Sequence, residues 1–154
     1  MLTSERELLL AILMNRPTLP KRMLAAPQLG DKVAFTRTIT EADVVLFIGT
    51  TWDVNPLHTD ELYCQATPFK HRIVPGLLTA SLLTHLGGLW AFLATEMDFH
   101  FIAPVYVNDS ISAQAEVVEY DSSTGKVLLR CLCTNQHGEQ VLSAEVRGYP
   151  GKFA

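Results

Sequence analysis

Apolar and polar positions alternate at both ends of the central region and merge into one continuous apolar stretch in its middle. Lys32 to Ile39 alternates with Val33, Phe35 and Ile39 as apolar anchors, which predicts a strand. Thr40 then offers a helix cap, with Asp43 at the third helical position, and Ile39 and Val44 are spaced for a hydrophobic staple. A short helix is expected from Glu41 to about Thr50. Thr51 to Pro75 is irregular, punctuated by Asn55-Pro56, Pro68 and Pro75. From Gly76 to about Leu93 leucines lie on nearly every side, and a helix that is apolar all round belongs in a core. The last third returns to strand patterning. Met97 to Phe101 comes first; Ile111 to Tyr120 follows, with Ile111, Ala113, Ala115 and Val117 on one side. Lys126 to Thr134 and Gln140 to Gly148 come next, with turns at 121–125 and 135–139. This order predicts an α+β domain in which a curved antiparallel sheet wraps around one long buried helix.

Ahead of that pattern, Ser4-Glu5-Arg6-Glu7 forms a capping box for a helix from Glu5 to about Asn15, and Pro17, Pro20 and Pro27 make a stiff connector. The expected division is a leader, residues 1–29, and a domain, residues 30–154. The leader is expected to pack on the domain or on a partner subunit. Glu5 and Glu7 precede the apolar run Leu8–Met14, where a secretion signal would be positive, so a cytoplasmic protein is expected. No apolar run reaches the roughly 20 residues of a membrane helix.

Length and composition narrow the class further. The chain has 154 residues, 48% of them hydrophobic and 18% charged, with a formal net charge of −4. That is the profile of one globular domain, and it lacks the basic face that nucleic acid requires. Three cysteines, Cys64, Cys131 and Cys133, do not suggest a disulfide framework; the latter two are expected to share one sheet face as small buried apolar groups.

Candidate chemistry gathers in two segments. In Asp53-Val54-Asn55-Pro56-Leu57-His58, Pro56 disfavours helical geometry at Asn55, so the chain must turn there. Such a turn can bring a carboxylate and an imidazole to one water as a general acid–base pair. Asn55 can hold the turn through its own backbone. By spacing alone this is equally ordinary loop chemistry. A metal site from Asp53, His58, Asp60 and Glu61 is the weaker alternative, because no coordination geometry is implied. The second segment, Ile73-Val74-Pro75-Gly76-Leu77-Leu78-Thr79-Ala80-Ser81, places unpaired N–H groups at a helix start, where they can hold a developing oxyanion, though by itself it is also an ordinary helix-start turn. Gly76 would let a substrate approach the backbone.

Taken together, Asp53–His58 and Arg72-Ile73-Val74-Pro75-Gly76-Leu77-Leu78-Thr79-Ala80-Ser81 resemble the MaoC-like R-specific enoyl-CoA hydratases. Ile39–Val44 and Ala103–Asp109 are similar too, so the resemblance spans about Gly30 to Gly148. It implies a hot-dog fold and a homodimer with the active site near the subunit interface, and a homodimer or higher homo-oligomer is expected. It also implies reversible hydration of a trans-2-enoyl-CoA to an R-3-hydroxyacyl-CoA, with an acyl-CoA thioester as partner and no cofactor or metal. Asp53 and His58 would be catalytic, Gly76 would bind the thioester carbonyl through its N–H, and Asn55 would shape the loop. Two positions depart from the pattern. Pro75 stands where many members carry histidine, and Thr84 where many carry serine on the second turn of the long helix; both bear on substrate binding. The alternatives on such a scaffold are an acyl-CoA thioesterase and a non-catalytic acyl-thioester-binding module. Trp52 and Phe69 are candidates for the acyl pocket or the core, and Lys70 and Arg72 for coenzyme A phosphates or solvated loop charges. His71, His85, His100 and His137 are expected to be surface or structurally satisfied histidines.

Overall fold

A computed structural model describes residues 24–151. The expected leader helix and the apolar run Leu8–Met14 lie outside the described residues. Five strands form one antiparallel sheet: β1 (Lys32–Thr38), β2 (Leu93–Phe101), β3 (Ser110–Tyr120), β4 (Val127–Thr134) and β5 (Gln140–Tyr149). Their order is β1-β3-β4-β5-β2. The consecutive strands β3, β4 and β5 are the expected meander, while β1 and β2 are added at its two edges. The helices are α1 (Glu41–Thr51), α2 (Pro56–Thr59), α3 (Glu61–Gln65), α4 (Gly76–Ser81) and α5 (Leu83–Leu89). The arrangement is the α+β hot-dog fold that the resemblance implied. Among the described residues no helix is long and apolar enough to cross a membrane.

Period-two patterning decides which sheet face is buried. Ile111, Ala113, Ala115 and Val117 of β3 are all buried, and the last three lie opposite the buried Cys133, Cys131 and Leu129 of β4. Against this face pack Leu83, Leu86 and Trp90, with α5 meeting β3 and β1. All three cysteines are free and buried. Burial pushes the Cys131 and Cys133 thiols up to about 12 and about 11, so they remain neutral fillers of the core. The start of α1 is built as expected: Thr40 and Asp43 form a complete capping box, and Ile39 and Val44 are both buried beside it.

The central helix is not the single element expected over Gly76–Leu93. It breaks at Leu82, and the hydroxyls around the break explain why. Ser81 Oγ donates to Leu78 O at 2.6 Å, and Thr84 Oγ1 donates to Ser81 O at 2.6 Å. Those carbonyls would normally receive the amides of Leu82 and His85. Both amides instead turn to the carbonyls three residues back, Thr79 O and Leu82 O, each at 3.2 Å. The helix then ends at Leu89, where the amides of Trp90 and Phe92 both bond to Gly87 O, at 3.1 and 2.9 Å. Leu93 therefore opens β2. Nor is the helix buried on all sides: Leu77 is 59% exposed, because it faces an open cleft rather than packed protein.

The region 51–75, expected to be irregular, holds the two short helices α2 and α3. Each is only one turn long, too short to leave an apolar period in the sequence. Asn55 caps α2 by accepting from Leu57 N at 3.0 Å, and Asp60 caps α3 by accepting from Tyr63 N at 3.0 Å.

Candidate active site

The loop after α1 is aimed by one backbone turn. Trp52 takes the left-handed conformation (φ 58°) as the helix C-cap, its N–H donating to Ile48 O at 2.8 Å. This turn leaves Trp52 84% and Val54 70% exposed while Asp53, between them, faces a cleft. Trp52 is thus neither core nor lining of that cleft. Asn55 N donates to Asp53 Oδ1 at 3.4 Å, and Pro56 supplies the first residue of α2. One turn later His58 points inward and is buried, its side chain 10% exposed.

The loop is strapped down from behind. Ile73 N donates to Leu57 O at 3.0 Å, and the buried Cys64 thiol lies 3.6 and 3.5 Å from Pro56 O and Leu57 O. Arg72 forks onto Glu41, with bonds of 3.0 and 2.9 Å, and its amide donates to Glu61 Oε2 at 3.2 Å. The bonds to Glu41 raise the Arg72 pKa. Arg72 is therefore a structural tie between α1 and α3 rather than the solvated loop charge expected of it. His71 pairs with Glu61 at 2.7 Å on the surface, and His85, His100 and His137 are exposed.

The central geometry is a carboxylate and an imidazole across a narrow gap. His58 Nδ1 lies 2.7 Å from Ile73 O, and a carbonyl can only accept, so Nδ1 carries the proton. In the neutral ring Nε2 is then the lone-pair nitrogen, and it lies 3.6 Å from Asp53 Oδ2. An ionised carboxylate also only accepts. Two acceptors at that separation are arranged to share a third group that donates to both, and one water with its two O–H bonds does so.

Both groups line a cleft of about 520 Å³ with Gly76, Thr79, Phe101 and the partly buried Phe69. The first N–H groups of a helix have no intrahelical acceptor, and Gly76 opens α4. Because α4 has only six residues, it is these local N–H groups, not a long helix dipole, that can donate to an anion. A Cβ on Gly76 would come within 2.9 and 3.0 Å of two atoms of the Phe101 ring. Gly76→Ala should therefore push that ring into the cleft and lower kcat/KM for an enoyl-CoA by at least about tenfold, since small displacements at a reacting centre are costly. Thermal melting and steady-state kinetics on the same sample test this, with little change in Tm expected because the ring is half exposed.

The other candidate residues sit around the cleft. Pro75 is buried as the N-cap of α4, and its carbonyl accepts from Leu78 N and Thr79 N at 2.9 and 3.3 Å. Asn55 is exposed and acts on the loop through the cap bond. Thr84 lines a separate apolar cavity of about 300 Å³, between the helices and the sheet, together with Ser81, Phe92 and Met97. Leu77 lines both spaces. Sequence patterning missed the Ile73 carbonyl, because a backbone acceptor leaves no side-chain signal. It also missed Phe101, which looks like any strand apolar residue.

Comparison with known proteins places the chain in a family. Residues 25–131 match the MaoC like domain family. An (R)-specific enoyl-CoA hydratase of Rhodospirillum rubrum is 34% identical over 110 residues, 68% of this chain and 76% of the relative. A 3-hydroxybutyryl-CoA dehydratase of Methylorubrum extorquens is 35% identical over 103 residues, 64% of this chain and 65% of the relative. Among solved structures, the (R)-hydratase from A. caviae involved in PHA biosynthesis superposes with a TM-score of 0.78 at 26% identity, covering 83% of this chain and all of that one. The matched span runs from ahead of β1 through most of β4 and includes Asp53, His58 and Gly76, and on that ground the chain belongs to the MaoC-like domain family.

Proposed function

We propose that this protein is a hydro-lyase that reversibly adds water to a trans-2-enoyl-CoA, giving an R-3-hydroxyacyl-CoA. The observation that carries the reading is the pair of acceptors, His58 Nε2 and Asp53 Oδ2, facing one another at 3.6 Å beside the free N–H groups that open α4. A water held by both acceptors presents its lone pair to C3 of the enoyl group. As the C3–O bond forms, a water proton passes to the acid–base pair and the C2–C3 π electrons move toward the thioester oxygen. Gly76 N–H donates to that oxygen as charge builds there. The pair then returns a proton to C2, so water is divided between the two carbons and nothing else is consumed. Asn55 contributes by holding the turn that aims Asp53.

The apolar cavity beyond Leu77 supports an acyl chain as the remainder of the substrate, with Thr84 and Ser81 at its wall. The chain is further proposed to act as a homodimer. β2 is an edge strand of the sheet and carries the exposed apolar side chains of Leu93, Met97 and Phe101, a surface suited to pairing with a second copy.

Crotonyl-CoA tests the reading directly. Hydration removes the conjugated enoyl-thioester absorbance, and chiral analysis of the product should give the R alcohol. Release of free thiol from butyryl-CoA with no loss of enoyl absorbance would instead make the protein a thioesterase.

A further inference from the structure

Thr79 differs from every other serine and threonine in the described helices. Thr50 and Thr51 donate to the carbonyls of Leu46 and Phe47 at 2.9 and 2.8 Å, and Thr59 donates to Asn55 O at 3.1 Å. Ser81 and Thr84 donate to carbonyls one turn back, each at 2.6 Å. Among the described residues Thr79 Oγ1 has no hydrogen-bond partner, although the residue is only 3% exposed. The reason is local. Its natural acceptor is Pro75 O, which already takes the amides of both Leu78 and Thr79. A buried hydroxyl left unpaired destabilises the free protein, so such a group in a cleft calls for an occupant that relieves it.

Two further observations give the hydroxyl a direction. Thr79 lines the same cleft as Asp53, His58 and Gly76, and it lies three residues after Gly76, on the same side of α4. Helical side chains lean toward the helix N-terminus, which carries the Thr79 side chain back toward the Gly76 amide. Threonine in a helix divides between two χ1 wells, so a single bond rotation moves the oxygen.

We infer that Thr79 is a second hydrogen-bond donor to the thioester carbonyl oxygen, beside the N–H of Gly76. The inference rests on the hydration reading given above. When the water oxygen bonds to C3, the π electrons of C2–C3 move onto the thioester oxygen, and the bond from Thr79 strengthens with that charge. The hydroxyl keeps its proton throughout. The enolate collapses as C2 takes its proton from the Asp53–His58 pair.

Three variants and one spectroscopic measurement test the role. Thr79→Val keeps the shape and removes the donor, Thr79→Ala does so should valine impair folding, and Thr79→Ser keeps the donor. Crotonyl-CoA hydration by the valine and alanine variants should lose about tenfold or more in kcat, as removal of an oxyanion donor does. KM should stay within about threefold, and the serine variant should be close to wild type. Butyryl-CoA, which cannot be hydrated, reports the bond itself. Its carbonyl stretch in difference infrared spectra should lie at higher frequency on the valine variant than on wild type. Valine should melt at the same temperature or higher, since it removes an unpaired buried oxygen. A valine kcat within about twofold of wild type, a serine variant as impaired as valine, or an unmoved carbonyl stretch would overturn the assignment. Wild-type protein that hydrates no enoyl-CoA would overturn the hydration reading and this inference together. Active wild type with an unaffected valine variant would overturn the inference alone.

Discussion

Asp53→Asn is expected to lower kcat for enoyl-CoA hydration by about 10³-fold, within the range that a positioned acid–base group contributes, with KM nearly unchanged. Asparagine keeps the size of the side chain. It replaces one acceptor with a donor, however, so the proposed water between positions 53 and 58 loses one of its two anchors. The fold should tolerate the change, because the Asp53 side chain is 44% exposed and its bond from Asn55 N is a long 3.4 Å. His58→Ala should lower kcat by a similar factor with a different stability signature. His58 is buried and its Nδ1 bonds to Ile73 O at 2.7 Å, so its loss leaves a part-buried carbonyl without that partner, at a cost of about 1 kcal/mol. The double variant should be little slower than either single one, because in the proposed mechanism the two groups act on the same water. Steady-state kinetics on all three, with melting curves recorded in parallel, decides the matter. Asp53→Asn retaining more than about a tenth of wild-type kcat would remove Asp53 from the chemistry.

The largest effect on stability is expected at Gly148 in β5, which pairs with Ala94 of β2 on one side and Val127 of β4 on the other. A Cβ there would lie 2.1 Å from Leu93 O, 2.7 Å from Phe92 Cε1 and 2.8 Å from Ala94 Cα. Two of those three atoms are backbone, so the clash cannot be relieved by turning a side chain; β2 must move away from β5. Gly148→Ala should cost about 3 kcal/mol, at the upper end of ordinary overpacking, and lower Tm by on the order of 10 °C. Activity at low temperature should fall as well, because β2 carries Phe101 into the cleft wall. Gly88→Ala is the matching control. A Cβ at Gly88 meets nothing within 4 Å, and alanine is the better helix former, so this variant should be as stable as wild type or more so. Equal melting temperatures for the two alanine variants would show that β2 does not press on Gly148.

Much of this architecture was legible before any coordinates. Alternation in β3 named its buried side residue by residue, because a strand repeats every two residues and one face must be dry. The Thr40 capping box was equally readable, since all its partners lie within three residues. Other features were not. The break at Leu82 depends on which carbonyl each hydroxyl chooses, and a leucine pattern carries no trace of that choice. The exposure of Leu77 depends on a cleft whose other walls come from residues 53–58 and 101–105. Arg72 reads as a loop charge until the fold brings Glu41, thirty-one positions earlier, within 3.0 Å.

The site divides in the same way. The sequence by itself determined the residue types proposed to carry the chemistry, the turn that Pro56 forces between Asp53 and His58, and the glycine that opens α4, because local sterics and short-range bonds decide these. Only the tertiary structure decided that Ile73 O holds His58 Nδ1, which leaves Nε2 free to face Asp53, and that Thr79 reaches the same cleft without a partner of its own. Those contacts join segments whose separation along the chain bears no relation to their distance in space, and the packing of the helices on the sheet sets that distance.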